Sequence, residues 1–151
     1  MPPSRQFPAD HFLNRELSLL AFNRRVLAQA ADARVPLLER LRFLCIVSSN
    51  LDEFFEIRVA GLKEQIKLGG HAVGTDGMPP QDVYRQVTEQ AHHLIGEQYA
   101  LLNDVILPAL NKEGIAFLRR SLWTESQRQW IHRHFHDEVM PVLTPIGLDP
   151  S

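Results

Sequence analysis

A mainly α-helical chain is predicted: a bundle-like helical domain over residues 1–113, then the truncated start of an α/β domain over residues 114–151. Three observations predict it. Apolar residues recur at helical spacing along four stretches. Those stretches are punctuated by capping residues, prolines and glycines. After Gly114 the helical pattern gives way to short apolar runs around one further helix.

The first helix is expected to begin near Asn14 or Ser18 and to reach about Ala31. Leu17, Leu20, Ala21, Val26 and Leu27 form its apolar stripe, with Arg24 and Arg25 facing out. Val35-Pro36 marks a boundary, because proline disfavours helix for the residue before it and suits a first helical turn. The second helix carries Leu37, Leu38, Leu41, Leu44 and Cys45 and is expected to end near Ser48. Ser48-Ser49-Asn50 then reads as a restart. Asn50 is a good N-cap, and Glu53 three residues on completes a capping-box pattern. Asp52 and Glu53 would lie in the first turn of a third helix, which buries Leu51, Phe54, Phe55, Val59, Leu62 and Ile66 and stops at Gly69-Gly70.

Residues 68–80, rich in glycine and proline, form a loop. A long helix is expected from about Gln81 to Asn111, with Val83, Val87, Ala91, Leu94, Leu101, Val105 and Leu110 inward, a kink at Pro108, and Gly114 as the C-terminal cap. Ile115-Ala116-Phe117-Leu118 looks like a short strand. Thr124-Glu125-Ser126-Gln127 is a capping box opening a helix to about Met140, and Val142-Leu143-Thr144 begins another strand. A strand, a helix and a trailing strand do not close a sheet, so residues 115–151 are expected to be the cut edge of a second domain.

Composition narrows the class. With 44% hydrophobic and 23% charged residues the 151-residue chain is globular, and a unit of that length can bury a real core. A formal net charge of −2 gives no general attraction to nucleic acid or anionic lipid. The single cysteine, Cys45, cannot form an internal disulfide, and its apolar neighbours predict a buried, inert thiol. No stretch is long and apolar enough to cross a bilayer, and the first six residues do not read as a secretory signal. A cytoplasmic location is expected.

The most specific stretch runs from Asn14 to Gln65. It contains Asn14-Arg15-Glu16-Leu17-Ser18, Ala21-Phe22-Asn23-Arg24-Arg25-Val26-Leu27 and Pro36-Leu37-Leu38-Glu39-Arg40-Leu41-Arg42-Phe43-Leu44. Then come Ser48-Ser49-Asn50-Leu51-Asp52-Glu53-Phe54-Phe55 and Arg58-Val59-Ala60-Gly61-Leu62-Lys63. In order and spacing this resembles the N-terminal domain of the polyphosphate kinases that build polyphosphate from ATP. Leu143-Thr144-Pro145-Ile146 resembles the start of that family's second, head domain. Leu19 stands where the family often has tryptophan.

The resemblance implies a division of labour. The family moves the terminal phosphate of ATP to a histidine, and from phosphohistidine to the growing chain. That histidine, and the magnesium that accompanies ATP, belong to domains beyond these residues, so no catalytic residue is assigned here and the chain alone is expected to be inactive. In the family, the asparagine before Leu-Asp-Glu-Phe lies against the nucleotide; here it is Asn50. An amide both donates and accepts, as reading a base or ribose requires. The alternative is that Asn50 only caps a helix, and the two roles can coexist. Arg58, two turns on, either meets phosphate or a neighbouring domain's carboxylate, or pairs with an acidic residue of its own helix. Full-length partners would be ATP, polyphosphate and further copies of the chain.

Two rival readings come from other classes. His92-His93-Leu94-Ile95-Gly96 resembles a helical histidine-phosphotransfer motif, in which glycine one turn after the histidine leaves room for a docking partner. Ile95 departs from it, since those domains usually place lysine there. A non-enzymatic helical interaction domain is the other. No metal site is expected: His132 and His136 share a helix face at a zinc-compatible spacing, but no third ligand stands nearby. Glu89 and His92 form a lone Glu-x-x-His pair where a carboxylate-bridged metal bundle needs two.

Overall fold

The computed structural model describes residues 7–69 and 73–147. Helices α1 (Arg15–Ala31), α2 (Leu37–Glu53), α3 (Ala60–Lys67), α4 (Pro80–Leu101), α5 (Leu107–Lys112) and α6 (Glu125–His134) carry the fold, joined in places by π-helical turns. The chain divides into two units, Met1–Ile115 and Ala116–Ser151.

In the first unit, α1 begins as expected. Asn14 Oδ1 accepts from the Leu17 N–H at 3.0 Å, and Asn14 Nδ2 reaches Asp76 Oδ2 at 2.7 Å, tying the cap to the 73–79 loop. Helix α2 follows Pro36, and Arg40 Nε donates to the Ala30 carbonyl at 2.7 Å, satisfying an acceptor in the last turn of α1.

The predicted break at Ser48-Ser49-Asn50 does not exist. Helix α2 runs through it, widens into a π-helical segment over Phe54–Val59, and continues into α3. Asn50 therefore lies inside a continuous helix and caps nothing, and Asp52 and Glu53 are not at a helix start. Ser and Asn favour caps because their side chains compete for nearby backbone groups. Here two of them are engaged elsewhere: Ser48 Oγ accepts from Gln98 Nε2 at 2.6 Å, and Asn50 donates to Asn23. The helix ends at Gly69, whose φ of +69° is the left-handed conformation of a C-terminal cap. Gly70 lies outside the described residues.

The long helix is interrupted where a proline kink was expected. A π-helical segment, Leu102–Ile106, separates α4 from α5, which begins one residue before Pro108. A π turn inserts one extra residue, and the buried positions move with it: Ile106, not Val105, is fully buried, followed by Leu110. Gly114, at φ +80°, closes α5. Its N–H reaches the Asn111 carbonyl at 3.1 Å and the Ile115 N–H reaches that of Leu110 at 2.9 Å, the paired bonds of a Schellman motif.

The core of this unit joins Leu20, Leu27 and Ala30 of α1, Leu44, Val47 and Leu51 of α2, and Val83, Val87, Ala91 and Leu94 of α4. Cys45 corrects the expectation of a buried thiol, because it is exposed. It follows buried Leu44 by one residue, about 100° around the helix and off the inward face.

In the second unit, the capping box at α6 forms. Thr124 Oγ1 accepts from the Gln127 N–H at 3.3 Å, and the Thr124 N–H donates to Gln127 Oε1 at 2.8 Å. A π-helical turn, Phe135–Val139, carries the helix to Met140. The two predicted strands do not form: residues 115–119 and 143–147 belong to no strand. Arg119 and Leu143 have extended backbones, but among the described residues no neighbouring strand pairs with these segments. The mainly α class holds, and the β part of the expected α/β unit is missing from it.

Candidate functional site

Helix α1 presents one face to α2, and that face contains a polar residue at an apolar register position. Leu20, Asn23, Leu27 and Ala30 are its buried side chains. Asn23 is 3% exposed. A buried amide must find partners or cost about 1–3 kcal/mol. Asn23 finds two on α2: its Nδ2 donates to the Val47 carbonyl at 3.2 Å, and its Oδ1 accepts from Asn50 Nδ2 at 3.1 Å. Gln98, 7% exposed, does the same from α4, donating to the Leu44 carbonyl at 3.2 Å and to Ser48 Oγ. The middle of α2 is thus held from both sides by side-chain amides.

The bond to Val47 decides which way these amides point. A carbonyl only accepts, so Asn23 must turn its NH2 towards Val47 and its oxygen towards Asn50. Asn50 must then answer with an N–H. Its own oxygen and second N–H remain, with no other protein partner among the described residues.

Asn50 borders a pocket of about 200 Å³, lined also by Leu19, Phe22, Asn23, Phe54 and Arg58, among others. The π-helical segment shapes one wall, since Phe54, Ile57 and Arg58 all belong to it. Phe22 and Ile57 are about half exposed, at 49% and 56%, and make an apolar lip. Glu53 adds a carboxylate and Arg58 a guanidinium. Arg58 is half-buried and forms no ion pair among the described residues. The intrahelical partner anticipated for it does not exist: the residues three and four positions away are Phe54, Phe55, Gly61 and Leu62, none acidic. Arg58 also borders a second pocket, of about 390 Å³, lined by Asn14, Gln65, Asp76 and Pro80 among others.

The structure therefore brings the two sequence-selected residues, Asn50 and Arg58, to one pocket. Asn23 was missed as a site residue. Its signal is legible in retrospect as an asparagine at a core position of an otherwise apolar stripe, and the same holds for Gln98 after Val83, Val87, Ala91 and Leu94.

The histidines are placed elsewhere. His92 is exposed, with Nδ1 2.7 Å from the Thr88 carbonyl of its own helix; His93 Nδ1 lies 3.1 Å from Glu97 Oε1. The His132 and His136 rings lie 4.8 Å apart. No group of three or more metal-ligating side chains gathers among the described residues. No described helix is long and apolar enough to cross a membrane.

The sequence model for the polyphosphate kinase N-terminal domain matches residues 12–118. Polyphosphate kinases of Burkholderia multivorans and Paraburkholderia phytofirmans are each 58% identical over 139 residues, which cover 92% of this chain and 20% of theirs. The chain thus spans about a fifth of the length of these curated relatives. The crystal structure of the polyphosphate kinase from Porphyromonas gingivalis aligns with a TM-score of 0.66 at 33% identity, over 93% of this chain and 19% of that one.

Proposed function

The chain belongs to the polyphosphate kinase N-terminal domain family, and from that membership we propose that it supplies the base-side wall of the ATP site in a longer, ATP-dependent polyphosphate kinase. The observation that carries this reading is the pocket beside Asn50, where an oriented amide stands among apolar side chains with an unpaired guanidinium at the same wall. At about 200 Å³ the pocket is smaller than the roughly 300–1,000 Å³ that encloses a whole ligand. It suits one moiety, with the rest of the nucleotide held by other domains. A flat purine fits the lip of Phe22 and Ile57 by stacking, and Asn50 offers the donor and acceptor that a base edge or ribose needs. Arg58 meets phosphate oxygens, or a carboxylate of the domain that completes the site.

The rest is proposed from the resemblance to the family. ATP and polyphosphate are the substrates, transfer runs through a phosphohistidine outside residues 1–151, and magnesium binds there too. Residues 116–151 begin the next domain. The full-length enzyme works in the cytoplasm as a homo-oligomer. In the full-length enzyme, Asn50→Ala should raise the KM for ATP roughly fivefold to tenfold with kcat retained, as loss of a binding contact away from the reacting phosphate does. An unchanged ATP dependence would remove Asn50 from the nucleotide site.

A further inference from the structure

Resting on the base-side reading above, we propose that Asn23 is a positioning residue that makes the site prefer adenine to guanine. The two amides form a chain of donors and acceptors. Asn23 Nδ2 donates to the Val47 carbonyl and Asn23 Oδ1 accepts from Asn50 Nδ2. Neither amide can rotate by half a turn alone. Turning Asn23 sets its oxygen against the Val47 carbonyl oxygen. Turning Asn50 sets its oxygen against that of Asn23. Asn23 is 3% exposed, so water does not repair either clash.

The orientation matters because the two purines present opposite patterns. On adenine an amino donor adjoins a ring-nitrogen acceptor. On guanine the corresponding edge presents a carbonyl acceptor beside an N–H donor, and the edge facing N7 presents two acceptors. A freely rotating amide matches adenine one way round and guanine the other. For a given pose of the base a locked amide matches only one of them, and because ATP is the substrate on the reading above, the locked form is assigned to adenine. Asn23 lines the pocket with its neighbour, yet its two polar atoms are already occupied, so it acts on the base through Asn50.

Two substitutions separate this role from a merely structural one. Asn23→Leu removes the acceptor that holds Asn50 and leaves an apolar side chain of similar size in an apolar setting. Asn23→Asp keeps an oxygen facing Asn50, whether ionised or protonated, but buries an acid beside a carbonyl. Asp should therefore be the less stable variant and Leu the less selective one. The experiment measures kcat/KM for ATP and for GTP in the full-length kinase carrying Asn23→Leu, Asn23→Asp or Asn50→Ala, with melting temperatures alongside. The expected result is that Leu lowers the ATP-to-GTP ratio about fivefold or more, the lower end of what a bidentate amide–base pair contributes. Asp keeps the ratio while melting lower; if Asp does not fold, the Leu variant decides alone. A ratio unchanged in Asn23→Leu but reduced in Asn50→Ala overturns the positioning role and leaves the base site standing. A ratio and ATP KM unchanged in Asn50→Ala overturns the base site itself, and this inference with it.

Discussion

At the scale of single residues, Asn50 shows how one side chain carries a different physical meaning once its helix is known. As an N-cap, Asn50→Asp would be nearly silent, since aspartate caps as well as asparagine. Inside a continuous helix the prediction reverses. Asn50→Ala gains helix propensity but leaves the buried Asn23 oxygen without its donor, a net cost of about 1 kcal/mol. Asn50→Asp cannot donate at all and sets a carboxylate against that oxygen, so it should cost more than alanine, about 2–3 kcal/mol. Urea melts of the three forms of this chain check the order, and an aspartate variant as stable as the parent would restore the cap. Asn50 and Arg58 were each singled out by the sequence; the partnership of Asn50 with Asn23 was not. Hydrogen bonds between residues 27 positions apart leave no periodic trace, and only the oddity of a polar residue in an apolar stripe hints at one.

At the scale of elements, caps and glycines read truly where their signals are local and unopposed, the Ser48-Ser49-Asn50 restart being the exception. Asn14, the Thr124 capping box, Gly69 and Gly114 all act where the sequence placed them. The π-helical turns were invisible for the opposite reason: no residue type demands one, and each shows only as a slip of the buried register, as with Ile106 in place of Val105. The same local logic gives a paired test. Gly61 lies inside α3 with nothing within 4 Å of an added Cβ. Gly61→Ala should therefore stabilise the chain by up to about 1 kcal/mol through helix propensity. Gly114 also has open space around it, but its φ of +80° is costly for any other residue. Gly114→Ala should destabilise by about 1 kcal/mol. Thermal denaturation of both variants, run together, asks whether backbone conformation and not available space governs these glycines; equal shifts of one sign would say it does not.

At the scale of the whole molecule, the two units differ in what they bury. Among the described residues, every buried one belongs to Met1–Ile115, and none from Ala116 onward is buried. Phe117, Leu122, Trp130, Phe135, Met140, Leu143 and Ile146 stay exposed. Burial of apolar surface is the main favourable term in folding, so a unit without buried side chains has little to offset its chain entropy. Helix α6 with its π-helical continuation runs only from Glu125 to Val139, within the roughly 12–15 residues at which an isolated helix is marginal in water. The capping box contributes only about 1 kcal/mol to it. Amides of α6 should therefore exchange with solvent much faster than those of α2 and α4, whose opening approaches global unfolding. Hydrogen exchange followed by mass spectrometry on this chain tests that directly. In a longer protein that supplies sheet partners for residues 115–119 and 143–147, the same amides should become protected, because the extended segments would then have strands to pair with. Protection of α6 equal to that of α4 in the 151-residue chain would mean that residues 116–151 are already complete, and would overturn their assignment as the beginning of the next domain.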